Sequence, residues 1–186
     1  MNTVIVLNKP YGVICQFSPH EKHATLKDYL DRPGFYPAGR LDTDSEGLVL
    51  LTDNGGLQAR ISHPKFKLEK TYWVQLEGSP DEAKLDLLRR GVDLGDFVTR
   101  PAKVRLLSNA EIGQLWPRQP PIRVRKTVPD FWAEIKISEG KNRQVRRMSA
   151  KAGYPCLRLV RVAIGHINLF DLGLALGEWK EIPFRG

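Results

Sequence analysis

The sequence predicts an α+β fold with a mixed, mostly antiparallel sheet and flanking helices. Three observations point there. Two stretches alternate strictly. In 71–77, Tyr72, Val74 and Leu76 share one face and Trp73, Gln75 and Glu77 the other; in 131–138, Phe131, Ala133, Ile135 and Ile137 face inward and Trp132, Glu134 and Lys136 outward. Two more stretches, Val4 to Leu7 and Leu48 to Leu51, are short continuous apolar runs of the kind that form buried strands. The helical segments are short, do not alternate regularly with strands and repeat with no fixed period, which excludes a solenoid.

The elements follow in order. Val4 to Leu7 is a first strand, apolar on both faces and therefore central. Asn8 to Gly12 turns the chain, punctuated by Pro10 and Gly12. Thr25 is placed to cap a short helix over Leu26 to Leu30, which Pro33-Gly34 stops. After the Leu48 strand, Gly56 to Ser62 reads as a helix with Leu57 and Ile61 four apart. Asp81 to Arg90 is a second helix with Leu85 and Leu88 inward and Gly91 at its end. Lys103 to Leu107 is a strand, and 109–127 is an irregular insert rich in Pro, Trp and Arg. A basic helix spans Asn142 to Ala152, with Val145, Met148 and Ala152 on one face and Arg143, Arg146, Arg147 and Lys151 on the opposite arc. Leu157 to Ile164 and Trp179 to Pro183 close the chain as strands.

With 186 residues, 41% hydrophobic and 27% charged, the chain suffices for one domain or two small lobes. No apolar run approaches the ~20 residues that cross a membrane. The start, Met1-Asn2-Thr3-Val4, lacks a basic export segment. Two cysteines far apart, Cys15 and Cys156, read as reduced thiols, so a cytoplasmic location is expected. The net charge of +8 and a pI near 9.6 call for a polyanionic partner. No long basic amphipathic helix with an aromatic apolar face directs that charge to a membrane.

The stretch from Ala38 to Thr52 carries the densest chemistry. Arg40, Asp42, Asp44 and Glu46 crowd a short loop that runs without a linker into the Leu48 strand. Two readings compete. Asp42, Asp44, Glu46, Gly47 and Asp53 sit at calcium-loop positions 1, 3, 5, 6 and 12. Such a loop needs a helix on each side, which the stretch from Phe35 to Gly39, with Pro37, cannot supply. The other reading is a carboxylate held for chemistry by a rigid strand.

Four motifs lie in one order along the chain: Leu7-Asn8-Lys9-Pro10-Tyr11-Gly12; Gly39-Arg40-Leu41-Asp42 with Gly47-Leu48; Lys70-Thr71-Tyr72; and Glu139-Gly140-Lys141-Asn142-Arg143-Gln144-Val145-Arg146-Arg147-Met148. Together they resemble the signature of the pseudouridine synthases. The form of the last motif resembles the RsuA branch, whose members modify ribosomal RNA. The insert Trp116-Pro117-Arg118-Gln119-Pro120-Pro121-Ile122-Arg123 looks most like the RluE type, which acts on large-subunit (23S) rRNA. The resemblance implies the pseudouridine synthase fold, with two lobes sharing one sheet around a central cleft. It implies one catalytic domain over 1–186 without the amino-terminal RNA-binding domain that this branch often carries. It also implies a cofactor-free and metal-free reaction, rRNA or an assembling large subunit as partner, and a monomer.

By the same resemblance Asp42 is the nucleophile, Tyr72 the active-site tyrosine, and Arg146, two residues after the Gln of the last motif, the active-site cation. Arg143 and Arg147 then meet phosphates, and Leu159 is the leucine set against the uracil. A buried carboxylate stays ionised when a guanidinium opposes desolvation, and Arg146 rather than Arg40 is given that part. Lys9 either contacts phosphate or braces the catalytic loop, and Asp44 and Glu46 brace it. Arg40 is placed at the substrate. In the insert, Arg118, Arg123, Arg125 and Lys126, interleaved with Trp116 and Trp132, offer charge and flat surfaces for bases. Attack at C1′ and attack at C6 of the uracil are equally compatible with these residues. The rival of another class is an RNA-binding module without catalysis. Within the class, another rRNA site or tRNA is the alternative substrate.

Overall fold

In the computed structural model, which describes residues 2–123 and 127–185, the chain runs β1 (Thr3–Lys9), β2 (Tyr36–Pro37), β3 (Glu46–Thr52), α1 (Gly55–Ser62), β4 (Lys70–Glu77), α2 (Glu82–Arg90), β5 (Lys103–Leu106), α3 (Asn109–Ile112), β6 (Asp130–Ile137), α4 (Gln144–Lys151), β7 (Cys156–Ile164), β8 (Ile167–Asn168) and β9 (Trp179–Pro183). Strands dominate and these helices are short, so the molecule is α+β, as the alternating stretches predict. It divides into two units, residues 1–68 with 161–186, and 69–160.

In the first unit β1 is central. It pairs antiparallel with β3 on one side, from Ile5 opposite Leu51 to Lys9 opposite Gly47, and with β9 on the other. β3 also pairs with β2, and the end of β7 carries β8. Every residue of β3 is buried, as are those of β1 after Thr3. Ile5, Leu7, Val49 and Leu51 pack with Val13, Leu26, Leu30 and Leu41 into one apolar core. β1 runs two residues further than the apolar run suggests. Asn8 and Lys9 stay in the ladder because Leu48 and Gly47 pair with them. The helix expected over Leu26 to Leu30 is a single 3₁₀ turn, Leu26–Asp28, since the stretch is too short to propagate. α1 begins where Asn54 accepts a hydrogen bond from the Leu57 amide, 3.0 Å.

In the second unit β6 is flanked antiparallel by β4 and β5, Tyr72 opposite Ile135 and Val104 opposite Ile135. β4 also meets the start of β7, where the Glu77 amide donates to the Pro155 carbonyl, 2.9 Å. One sheet face buries Tyr72, Val74, Leu76, Ala133 and Ile135 against Leu85 and Leu88 of α2 and Val145 and Met148 of α4. The other face departs from expectation. Glu134, read as outward, is buried, as is Trp73. The two are register partners, and the indole Nε1 donates to the Glu134 carboxylate at 3.0 Å while the Arg105 guanidinium covers it. The insert is less irregular than expected. Ser108 and Glu111 form a reciprocal capping box that starts α3. Among the described residues no helix is long and apolar enough to cross a membrane.

Candidate active site

Asp42 stands, half-buried, on the loop between β2 and β3. Leu41 beside it is sunk in the apolar core, which fixes the direction of the loop. Two buried cations grip the loop's backbone. Lys9 is wholly buried, and its ammonium donates to the carbonyls of Pro10 (2.9 Å), Val13 (2.8 Å) and Thr43 (3.5 Å). Arg161, 4% exposed, donates from Nε to the Leu48 carbonyl (2.9 Å) and lies against those of Arg40 (3.5 Å) and Gly39 (3.4 Å). The Gly12 amide adds a bond to the Thr43 carbonyl, 2.8 Å, and the Ser45 amide closes a turn onto the Asp42 carbonyl, 3.0 Å. The Leu7-to-Gly12 motif and the Gly39-to-Leu48 motif are thus two halves of one device.

Taking an ammonium out of water costs several kcal/mol unless hydrogen bonds and opposite charge compensate. Burial pushes the Lys9 amine down to about 8, against the pull of Cys15, Glu46 and Asp44, with Arg161 adding to the fall. Glu46 itself is 1% exposed, so part of the charge that opposes the burial of Lys9 is also buried. Of the two roles open to Lys9, phosphate contact and bracing, its geometry is that of a brace, because the ammonium is enclosed by backbone. Gly47 is required for the same packing: its φ is +107°, and a Cβ there would lie 2.3 Å from the Arg161 carbonyl oxygen.

The calcium-loop reading fails on geometry. Glu46 and Asp53 stand at opposite ends of β3, which runs extended for seven residues, so they cannot turn back on one ion. Among the described residues, no three His, Cys, Asp or Glu side chains gather as metal ligands.

The second unit holds the other motif residues. Tyr72 and Leu159 are buried in the same apolar cluster, with Val145 of α4. Arg146 is half-buried on α4. The turn before α4 is tied by Gln144, whose amide side chain donates to Glu139 (2.9 Å) and accepts from the Lys141 amide (3.2 Å). Glu139 also accepts from the Arg100 amide, 2.6 Å. The helix therefore begins at Gln144, two residues later than expected, and Arg143 precedes it in a left-handed conformation with φ 52°. Arg143 is exposed. Arg147, read as a phosphate contact, is engaged bidentately by Asp96, at 2.5 and 3.1 Å.

Arg40 is exposed and reaches the Cys15 carbonyl at 3.4 Å. In the insert, Arg118 donates to the Pro120 carbonyl at 2.8 Å, and Arg123 is exposed. Arg125 and Lys126 lie outside the described residues. The Arg158 guanidinium lies 5.9 and 5.7 Å from the ring centroids of Trp116 and Trp132. Sequence reasoning passed over Arg158 and Arg161. The signal was present, because two arginines inside the apolar run Leu157 to Ile164 must be buried and therefore partnered.

A held loop carrying Asp42 in one unit, and Tyr72 and Arg146 in the other, follow the order of the motifs. The family described as RNA pseudouridylate synthase matches residues 3–151. The "Ribosomal large subunit pseudouridine synthase E" of Xanthomonas axonopodis pv. citri is 57% identical over 168 residues, covering 89% of this chain and 87% of its own. The protein of the same name from Vibrio vulnificus is 52% identical over 179 residues, covering 96% of this chain and 74% of its own. A solved structure titled "Crystal structure of pseudouridylate synthase" superposes with a TM-score of 0.79 at 32% identity, over 98% of this chain and 71% of that one. The chain belongs to the RNA pseudouridylate synthase family, as an isomerase of the RluE type in its RsuA branch.

Proposed function

We propose that this chain converts one uridine of 23S rRNA to pseudouridine, with Asp42 as nucleophile. The observation that carries the proposal is the double grip of Lys9 and Arg161 on the backbone around Asp42. A nucleophile gains most when its position is fixed before substrate arrives. The large-subunit substrate is supported by the names of the relatives above 50% identity.

The reaction breaks the bond from ribose C1′ to N1, turns the uracil and joins C1′ to C5; the C5 proton leaves and N1 takes up a proton, so the composition is unchanged. A carboxylate adduct divides this into easier steps. Asp42 supplies the carboxylate. Tyr72 presents a ring to the base and a hydroxyl that takes the C5 proton or directs a water to it, Leu159 packs against the uracil, and Arg146 is the cation of the site. Arg143, Arg147, Arg118, Arg123 and Arg125 serve the RNA backbone, and Arg40 the substrate near Asp42. The flipped target must be unstacked, and phosphate contacts elsewhere on the RNA offset that cost.

Mapping pseudouridine in rRNA from cells with and without the protein tests the reading. One 23S position should lose the modification and regain it with the wild-type chain, but not with Asp42→Asn. A loss in small-subunit rRNA or tRNA instead would move the substrate, and an unchanged map would overturn the proposal.

A further inference from the structure

A recess of about 460 Å³ opens in the second unit, lined by Asp96, Phe97, Lys141, Asn142, Arg143 and Arg147. Two turns face each other across it. One is the tight turn from Asp93 to Val98, closed by the Leu94 amide on the Phe97 carbonyl (2.9 Å) and by the Asp93 side chain on the Gly95 amide (2.8 Å). The other is the turn before α4, tied by Gln144 and Glu139. Both walls are thus preformed. Phe97 is half-buried and forms the flat wall, with the Lys141 ammonium 4.6 Å and the Arg147 guanidinium carbon 5.6 Å from its ring centroid. Three cations against one carboxylate leave the recess positive.

Asp96 shows what the recess is shaped to hold. Its two oxygens meet two nitrogens of Arg147, the fork geometry that a phosphate also satisfies. The pair is exposed, with side-chain exposures of 37% and 62%, and such pairs are weak enough to be exchanged. Resting on the reading above, we infer that this recess binds a nucleotide of the substrate RNA other than the reacting uridine. Its phosphodiester displaces Asp96 from Arg147 between Lys141 and Arg143, and its base stacks on Phe97. None of Asp42, Tyr72, Leu159 or Arg146 lines the recess, so its occupant is not the base that reacts. The volume falls in the range of small-ligand pockets and suits one nucleotide rather than a duplex.

The test uses the full chain and an RNA fragment spanning the uridine found by mapping. Phe97→Ala should weaken binding about tenfold, as loss of one base–aromatic stack does. It should leave kcat on saturating RNA unchanged. Lys141→Gln should lower the slope of log affinity against log salt by up to ~0.7, the value for one contact to a single strand. Asp96→Asn should act the other way, tightening binding, because it removes the competing carboxylate and frees Arg147. A merely structural Asp96–Arg147 pair predicts no gain. Thermal melts of each variant separate these effects from unfolding. Wild-type affinity and slope in Phe97→Ala and Lys141→Gln would overturn the site. So would defects seen only on ribosomal particles and not on naked RNA, which would assign the recess to a ribosomal protein. A wild-type chain that modifies no RNA sinks the function instead, and the two failures are distinguishable.

Discussion

Asp42→Asn keeps the size of the side chain and removes the nucleophile. An amide forms no glycosyl or base adduct, so isomerisation should fall below detection while the melting temperature stays near wild type, since loop changes of this size shift stability by less than ~1 kcal/mol. RNA affinity should persist. Asp44→Asn should cost far less turnover, and mass spectrometry excludes deamidation of the introduced asparagine back to aspartate. Measurable turnover by the authentic amide variant removes Asp42 from the chemistry. Lys9 offers a test by pH. Its folded pKa, about 8, lies below the ordinary value of 10.5, so between these values the unfolded chain binds more protons and folding stability rises with pH. Below pH 8 the burial penalty is fully present, and above 10.5 it is gone; the difference corresponds to roughly 3 kcal/mol. Urea midpoints of wild type relative to Lys9→Met should climb through that window, and a flat difference would show that the ammonium is not desolvated. The loop that carries Asp42 was legible because its charged residues run without a linker into the apolar run of β3. The role of Lys9 was not, because sequence shows a lysine in a turn motif and only burial distinguishes a brace from a phosphate contact.

At the scale of elements, periodicity located nearly every strand but misjudged what covers them. The alternation of 131–138 places Glu134 outward correctly as a direction, yet Trp73 and Arg105 close over it. Alternation reports which face a residue lies on and not what packs there. The insert shows the same limit. Composition reads there as charge and flat surfaces for RNA, and does not show that Trp116 and, on β6, Trp132 both face Arg158, whose Nη2 donates to the Trp116 carbonyl at 2.7 Å. Such a pairing is non-local and leaves no mark in either segment alone. It makes Arg158 the anchor of the insert's first half. Arg158→Leu should lower stability by about 1–3 kcal/mol, because it removes the hydrogen bond to the Trp116 carbonyl and the cation that both indole rings face. Acrylamide should quench tryptophan fluorescence more strongly in that variant. Arg158→Lys should rescue little, because an ammonium cannot present a plane to two rings and at the same time donate to the carbonyl. Unchanged stability and quenching would detach Arg158 from the insert.

At the scale of the whole chain, the charge that points to a polyanion is unevenly held. Residues 69–160 carry 18 Lys and Arg against 11 Asp and Glu, a net of +7, and the rest carries 11 against 10, a net of +1. Composition alone gives the total of +8 and not its placement, because the first unit is assembled from both ends of the chain. The first unit also spends two of its cations internally, on the loop around Asp42. The division makes a quantitative expectation. Each phosphate contact contributes up to ~0.9 to the log-log dependence of RNA affinity on salt. Neutralising three exposed lysines of the first unit, Lys22, Lys27 and Lys65, should leave that slope within error of wild type. Neutralising three basic residues of the second, Arg123, Lys141 and Arg143, should lower it by about 2, and turnover on saturating RNA should survive both. Equal losses from the two sets would mean that RNA senses only the total charge. A loss confined to the first set would place the RNA backbone on the unit that carries Asp42.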